Sequence, residues 1–155
     1  MKISAHLFRH PSNKLIALFG VLALIGFIDA SYLALKYFLG GPIPCFVASG
    51  CDTVTTSIYA RMLGVPVALL GALYYLAILV LLVAYADSRW VFLFFVASYA
   101  TILGFAMSLW FVFVQAFLLN AFCFYCLISA TTSTLLFLGN VWWRRTHKML
   151  DIEPI

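Results

Sequence analysis

The chain has 155 residues, of which 66% are hydrophobic, 17% aromatic and only 9% charged. A soluble domain of this size does not tolerate so apolar a composition, so the sequence predicts an integral membrane protein with one domain over residues 1–155. The formal net charge of +4 is carried mainly by the two ends and one short link. This charge therefore indicates orientation in the membrane, and no nucleic-acid partner is expected.

Four apolar stretches are long enough to cross a lipid bilayer as helices. They cover approximately residues 15–38, 65–86, 90–119 and 121–143. The predicted fold class is an all-α integral membrane bundle of four transmembrane helices, with a short lid helix in the outer loop between the first two. Four spans place both termini on the same side of the bilayer.

The basic residues are divided unevenly between the two sides. Seven lie at the termini or in the tight link between the second and third spans, and two lie on the opposite side: Lys2, Arg9, Lys14, Arg89, Arg144, Arg145 and Lys148 against Lys36 and Arg61. The positive-inside rule then predicts cytoplasmic termini. All four cysteines, at positions 45, 51, 123 and 126, would face the oxidising outer compartment.

Two features precede the outer loop. His6 and His10 are four residues apart, but Pro11 and Ser12 favour a loop or a helix entry over a metal site. Asp29 lies in the first span, where a carboxylate is costly and is expected to face the bundle interior. Two roles stay open for it: it carries protons to a redox site, or it forms a hydrogen bond that locks two helices together.

The outer loop carries the first cysteine pair. Residues 40–44, with the sequence Gly-Gly-Pro-Ile-Pro, cannot form a helix interior, and they place Cys45 on an irregular segment. Cys51 follows after five intervening residues. This gives a C-x5-C pair at the outer face.

A lid helix is predicted directly after Cys51. Asp52 or Thr53 is expected to cap it, and it would run to about Leu63 before Gly64. One face of this helix would carry four side chains, with the serine turned towards the bundle: Val54, Ser57, Ile58 and Arg61.

The second cysteine pair heads the fourth span as Cys123-Phe124-Tyr125-Cys126. If Asn120 is the N-cap, Cys123 takes the third helical position, where free N–H groups and the helix dipole favour a thiolate. A spacing of three puts both sulfurs on one face at a separation that a disulfide can bridge. The alternative that both cysteines are simply small buried hydrophobic residues stays open at this point.

The whole pattern resembles the vitamin K epoxide reductase family in its bacterial or archaeal form. The resemblance rests on the four-cysteine layout, on Ser57 six residues after Cys51, and on Gly64-Val65-Pro66 at the entry to the second span, and it covers nearly the whole chain. It implies a four-helix bundle around a quinone near the outer membrane face.

The resemblance also implies roles for individual residues. Cys123 and Cys126 would be the active-site pair that reduces the quinone. Cys45 and Cys51 would be a shuttle pair that receives electrons from a thioredoxin-fold protein, and Ser57 would lie beside the quinone. Because the chain stops soon after the fourth span, this partner is expected to be a separate DsbA-like protein.

The order within the active-site pair follows from depth. Cys123 is nearer the helix end and the aqueous mouth, so it is expected to exchange with a loop cysteine, most simply Cys51. Cys126 lies one turn deeper and is expected to contact the quinone.

The predicted function is a membrane thiol oxidoreductase that oxidises its partner and drives disulfide formation, with ubiquinone, menaquinone or a vitamin K type quinone as cofactor. The expected location is a prokaryotic inner membrane, with the cysteines facing the periplasm. A vitamin K epoxide reductase of the endoplasmic reticulum is one alternative. The other is a thiol-based metal carrier without enzymatic activity, but C-x5-C is not a usual zinc knuckle and no metal site is predicted.

Overall fold

The structure, a computed structural model, describes residues 11–41, 43–44 and 50–150, with side chains up to residue 146. Four long helices dominate it: α1 (Asn13–Leu39), α3 (Val67–Ser88), α4 (Val91–Phe113) and α5 (Phe124–Leu150). A short helix, α2 (Cys51–Thr56), lies between α1 and α3. A π-helical segment, Val114–Leu118, extends α4. His6, His10 and Cys45 lie outside the described residues.

All four long helices are apolar and long enough to cross a membrane. The predicted all-α four-helix membrane bundle is therefore confirmed. The observed spans are Asn13–Leu39, Val67–Ser88, Val91–Leu118 and Phe124–Thr146, within a few residues of the predicted bounds. Helix α1 packs against α3 and α5, and α4 packs against the same two helices, so the four close into a ring.

An aromatic core fills the half of the bundle near the start of α1. The ring of Phe94 lies 4.8 Å from that of Trp143 and 5.5 Å from that of Tyr85. Beside it, Asn140 on α5 donates hydrogen bonds to the Ser98 carbonyl oxygen at 2.8 Å and to Thr101 Oγ1 at 3.0 Å on α4. Because lipid offers no partners to buried polar groups, these bonds fix how α4 and α5 pack.

The predicted lid helix is present but shorter than expected. It ends at Thr56 instead of continuing to Leu63, and its N-cap is Gly50, not Asp52 or Thr53. The hydroxyls of Thr55, Thr56 and Ser57 donate to the carbonyls of Cys51, Asp52 and Val54 at 2.8, 2.6 and 2.8 Å. The Val54 carbonyl, which a continuing helix would offer to the Ile58 N–H, accepts from the Ser57 N–H at 3.4 Å as well as from the Ser57 hydroxyl, so the helix closes at Thr56.

A small hairpin replaces the predicted end of the lid helix. A 3₁₀ turn, Ile58–Ala60, leads into β1 (Arg61–Met62), which pairs antiparallel with β2 (Val65–Pro66). Leu63 and Gly64 form the two-residue turn with φ values of 53° and 84°. Two adjacent left-handed residues match the turn that two-residue hairpins require, and Gly64 accepts that conformation without strain.

The single lid face predicted from helical spacing is therefore wrong in part. Val54 and Ser57 do line the interior of the bundle. Ile58, however, is 82% exposed, and Arg61 is exposed above the ring of Tyr37. Helical periodicity no longer applies after Thr56, so residues 58 and 61 turn away from the interior.

Candidate active site

Three cysteines gather at the end of the bundle where α1 finishes and α5 begins. Cys123 is fully buried and Cys126 is half-buried, and both are free thiols. Cys51, at the start of α2, is buried and disulfide-bonded. Cys45 lies outside the described residues, so its predicted place in the shuttle pair stays a prediction.

The start of α5 differs from the sequence prediction. The helix begins at Phe124, and Asn120 is not its N-cap but a left-handed residue with φ of 46°. Cys123 is itself the N-cap, because its carbonyl accepts the first helical bond from the Leu127 N–H at 3.0 Å. The predicted third helical position for Cys123 is therefore wrong, although the sulfur still lies at the positive end of the helix.

The N-cap position places the Cys123 sulfur over the free N–H groups of the first turn. Its Sγ accepts a hydrogen bond from the backbone N–H of Cys126 at 3.4 Å. A hydrogen bond from the Cys126 side chain, together with these backbone bonds, holds the pKa of the Cys123 thiol below its usual value. Thiolate character at this position favours nucleophilic exchange.

Gln115 positions the turn that carries Cys123. Its Oε1 accepts a hydrogen bond from the Cys123 N–H at 2.8 Å, and its carbonyl oxygen accepts one from the Ala121 N–H at 3.1 Å. The side chain is buried and belongs to the π-helical segment. Such single-turn π segments often mark functional sites. The sequence reasoning missed Gln115, which was visible as an isolated glutamine in an apolar span.

The outer loop brings Cys51 close to the turn that carries Cys123. Cys51 and Cys123 share one buried cluster with Leu33 and Ile43. Gly50 allows this approach, since a Cβ added there would lie 2.8 Å from both the backbone nitrogen and the backbone oxygen of Phe122. Cys123 is thus fully buried beneath the loop.

A cavity of about 330 Å³ lies on the other side of the pair. Its wall is mostly apolar and comes from all four long helices and the lid segment. Cys126 lines this cavity, and so does the predicted quinone-side residue Ser57, whose hydroxyl donates to the Val54 carbonyl oxygen. The volume falls in the range of small-molecule sites, and an apolar wall with few polar groups suits a flat hydrophobic ligand.

A model of the vitamin K epoxide reductase (VKOR) family matches residues 17–141. The chain belongs to the VKOR family. Membership makes it a membrane oxidoreductase of a family that couples thiol–disulfide chemistry to quinones. No curated protein matches the chain.

Within this VKOR chain, Asp29 lines the cavity as well. It is only 8% exposed, so the prediction that it faces the bundle interior is confirmed. Its Oδ2 has no hydrogen-bond partner among the described residues, so this atom makes no bond that would lock α1 to a neighbouring helix. The bond between α3 and α5 is made instead by Tyr75, whose hydroxyl donates to the Ser129 carbonyl oxygen at 2.7 Å.

Proposed function

We propose that this VKOR-family protein oxidises a thioredoxin-fold protein and passes the electrons to a membrane quinone, thereby driving disulfide formation. One observation carries the proposal: the two free thiols of α5 lie between the loop cysteine Cys51 and the apolar cavity. Cys123 shares a buried cluster with Cys51, and Cys126 lines the cavity. This order matches the path that electrons would take.

The first two steps are thiol–disulfide exchanges. A dithiol of the partner reduces the disulfide of the loop pair, Cys45 and Cys51, and itself becomes a disulfide. The Cys51 thiolate then attacks the oxidised Cys123–Cys126 disulfide at Cys123, and Cys45 resolves the mixed disulfide. Each exchange moves two electrons and leaves the sum of thiols and disulfides unchanged.

The last step restores the disulfide on α5. A quinone bound in the cavity would supply the oxidant. The Cys123–Cys126 dithiol would give up two electrons and two protons to it, with Cys126 on the cavity side, and the two sulfurs would join as the disulfide. Burial under the loop keeps water from Cys123, and the N-cap position stabilises its negative charge until it reacts.

The cavity and the cysteine ends are proposed to lie towards the periplasm of a prokaryotic inner membrane. At the opposite end, both terminal nitrogens of the Arg89 side chain lie 3.4 Å from Asn13 Oδ1, so the basic link and the start of α1 lie together. Lys36 and Arg61 are found beside Tyr32 and Tyr37, near the end of α1. This grouping of basic residues supports the uneven charge distribution from which we infer that the termini are cytoplasmic.

The test uses the full chain in lipid nanodiscs under anaerobic conditions. A reduced thioredoxin-fold protein and a quinone are added, and quinol formation is followed optically. We expect rapid reduction that Cys126→Ala abolishes. Cys51→Ala should stop electron transfer from the protein partner but leave part of the reduction driven by dithiothreitol. Equal rates in wild type and Cys51→Ala with the protein partner would contradict the shuttle.

A further inference from the structure

Three polar atoms in the cavity wall have no hydrogen-bond partner among the described residues. They are Asp29 Oδ2, the Tyr74 hydroxyl oxygen and Ser133 Oγ, and each is buried. An unsatisfied buried polar atom is costly, so native proteins rarely keep one without a reason. Three such atoms on one cavity leave hydrogen-bonding capacity that a polar ligand can use.

Two of these atoms meet at the inner end of the cavity. Both lie next to Gly104, where an added Cβ would overlap the Tyr74 hydroxyl and lie 2.9 Å from Ser133 Oγ. Ser133 follows Cys126 by seven residues on α5, which places it about 10 Å further along the axis at 1.5 Å per residue. The Tyr74–Ser133 pair is therefore well separated from the reactive sulfur.

The third atom lies between these two levels. The ring of Tyr32 is 5.1 Å from that of Tyr125, so this part of α1 is level with the first turn of α5. Asp29 is three residues deeper than Tyr32, about 4.5 Å along the helix. Its carboxyl group thus lies about one turn below the level of Cys126.

All three groups can donate a hydrogen bond. Hydroxyls do so directly. An ionised carboxylate without a positive partner is costly inside a membrane protein, so the acid form, which carries an O–H, is favoured at Asp29. The cavity therefore presents donors at two levels of an otherwise apolar wall.

We propose that Tyr74 and Ser133 bind one carbonyl oxygen of the quinone and that the Asp29 carboxyl donates a hydrogen bond to the other, which orients the ring in the cavity that Cys126 lines. A quinone has an apolar ring with acceptor oxygens on opposite edges, which matches donors at two levels. The inference rests on the proposed function and names the residues that orient its electron acceptor.

The adjacent tyrosine provides a matched control. Tyr75 also lines the cavity, but its hydroxyl is already bonded to the Ser129 carbonyl oxygen at 2.7 Å and to Thr132 Oγ1 at 2.8 Å. Removing this hydroxyl should weaken the contact between α3 and α5 without removing a ligand contact. Tyr74→Phe and Tyr75→Phe are therefore the same chemical change, but only Tyr74→Phe is expected to weaken quinone binding.

The experiment measures binding to the oxidised full chain, which holds no electrons to pass on. Menadione and 2-methylnaphthalene, which has the same rings without carbonyl oxygens, are titrated calorimetrically into protein in detergent. Tyr74→Phe and Ser133→Ala should each weaken menadione binding about 2- to 10-fold, the worth of one hydrogen bond, and leave 2-methylnaphthalene binding unchanged. Tyr75→Phe should keep the menadione affinity and lower the melting temperature.

Asp29 is tested by two substitutions. Asp29→Asn keeps a donor and should bind menadione within about twofold of wild type, whereas Asp29→Leu should lose about 2- to 10-fold. The infrared carbonyl band of bound menadione should move to higher frequency in Asp29→Leu and in Tyr74→Phe. A misfolded cavity would instead lose both ligands together.

The proposal is overturned if Tyr74→Phe, Ser133→Ala and Asp29→Leu bind menadione as wild type does. It is also overturned if wild type does not prefer menadione to 2-methylnaphthalene. Failure of the proposed function would appear separately, as the absence of quinol formation by the reduced wild-type protein.

Discussion

The close contact between the outer loop and the turn before α5 can be tested by a substitution that adds one methyl group. In Gly50→Ala, the added Cβ would lie 2.8 Å from the backbone nitrogen and oxygen of Phe122 and 3.0 Å from the Cβ of Ala121. Two of these three neighbours are backbone atoms, which cannot rotate away. The loop and the turn must therefore separate, and Cys51 must move with the loop away from Cys123.

The expected cost follows from overpacking. Forcing a methyl group into a filled site typically costs about 1–3 kcal/mol. For a chain of this size, about 1 kcal/mol corresponds to roughly 2–4 °C in melting temperature, so we expect a fall of about 2–12 °C. Under the proposed function, quinol formation driven by a thioredoxin-fold protein should fall further than reduction driven by dithiothreitol, because only the former would require exchange between Cys51 and Cys123.

Gly20→Ala is the matched control, since nothing lies within 4 Å of a Cβ added there in α1. It should be neutral or raise stability by up to about 1 kcal/mol, the gain of alanine over glycine in a helix. Both variants are compared by thermal unfolding in the same detergent and by both activity assays. If Gly50→Ala behaves like Gly20→Ala in all three measurements, the loop does not hold Cys51 close to Cys123.

Three further measurements address the rest of the site. Gln115→Leu leaves the buried Cys123 N–H without its acceptor and should cost about 1–3 kcal/mol, seen as a lower melting temperature; an unchanged value would show that the turn does not depend on this bond. Cys126→Ala removes the main group that lowers the pKa of Cys123, so the pH midpoint of Cys123 alkylation should rise towards the ordinary thiol value, and alkylation at neutral pH should slow. A midpoint that stays in place would assign the lowered pKa to the backbone alone. Tags on both termini should be reached by protease only from the cytoplasmic side, whereas digestion from outside would reverse the proposed orientation.

The sequence was sufficient for the membrane class and the four spans. In lipid, a run of about 20 apolar residues can satisfy its backbone hydrogen bonds in few ways other than as a helix. Composition and length are therefore enough to predict a transmembrane helix. The cysteine spacing and Ser57 were also enough to indicate the family that the match over residues 17–141 confirms. These signals are local in the chain, and no knowledge of packing is needed to read them.

The ends of the elements were predicted less well. The lid helix stops at Thr56 because Ser57 bonds the Val54 carbonyl through both its N–H and its hydroxyl, and a turn at Leu63 and Gly64 then forms a hairpin. Helix α5 starts three residues later than predicted because the Ala121 N–H is bonded back to Gln115. Helix propensity changes little over such short distances, so individual hydrogen bonds decide where a helix begins.

What only the tertiary structure decided is which side chains share the cavity. Asp29, Tyr74 and Ser133 lie on three different helices and are far apart in the chain. Tyr74 and Tyr75 are adjacent and chemically identical, yet the Tyr75 hydroxyl is bonded to α5 while the Tyr74 hydroxyl has no hydrogen-bond partner among the described residues. Hydrogen-bond satisfaction depends on how helices pack, and packing brings together residues whose proximity the chain order does not encode.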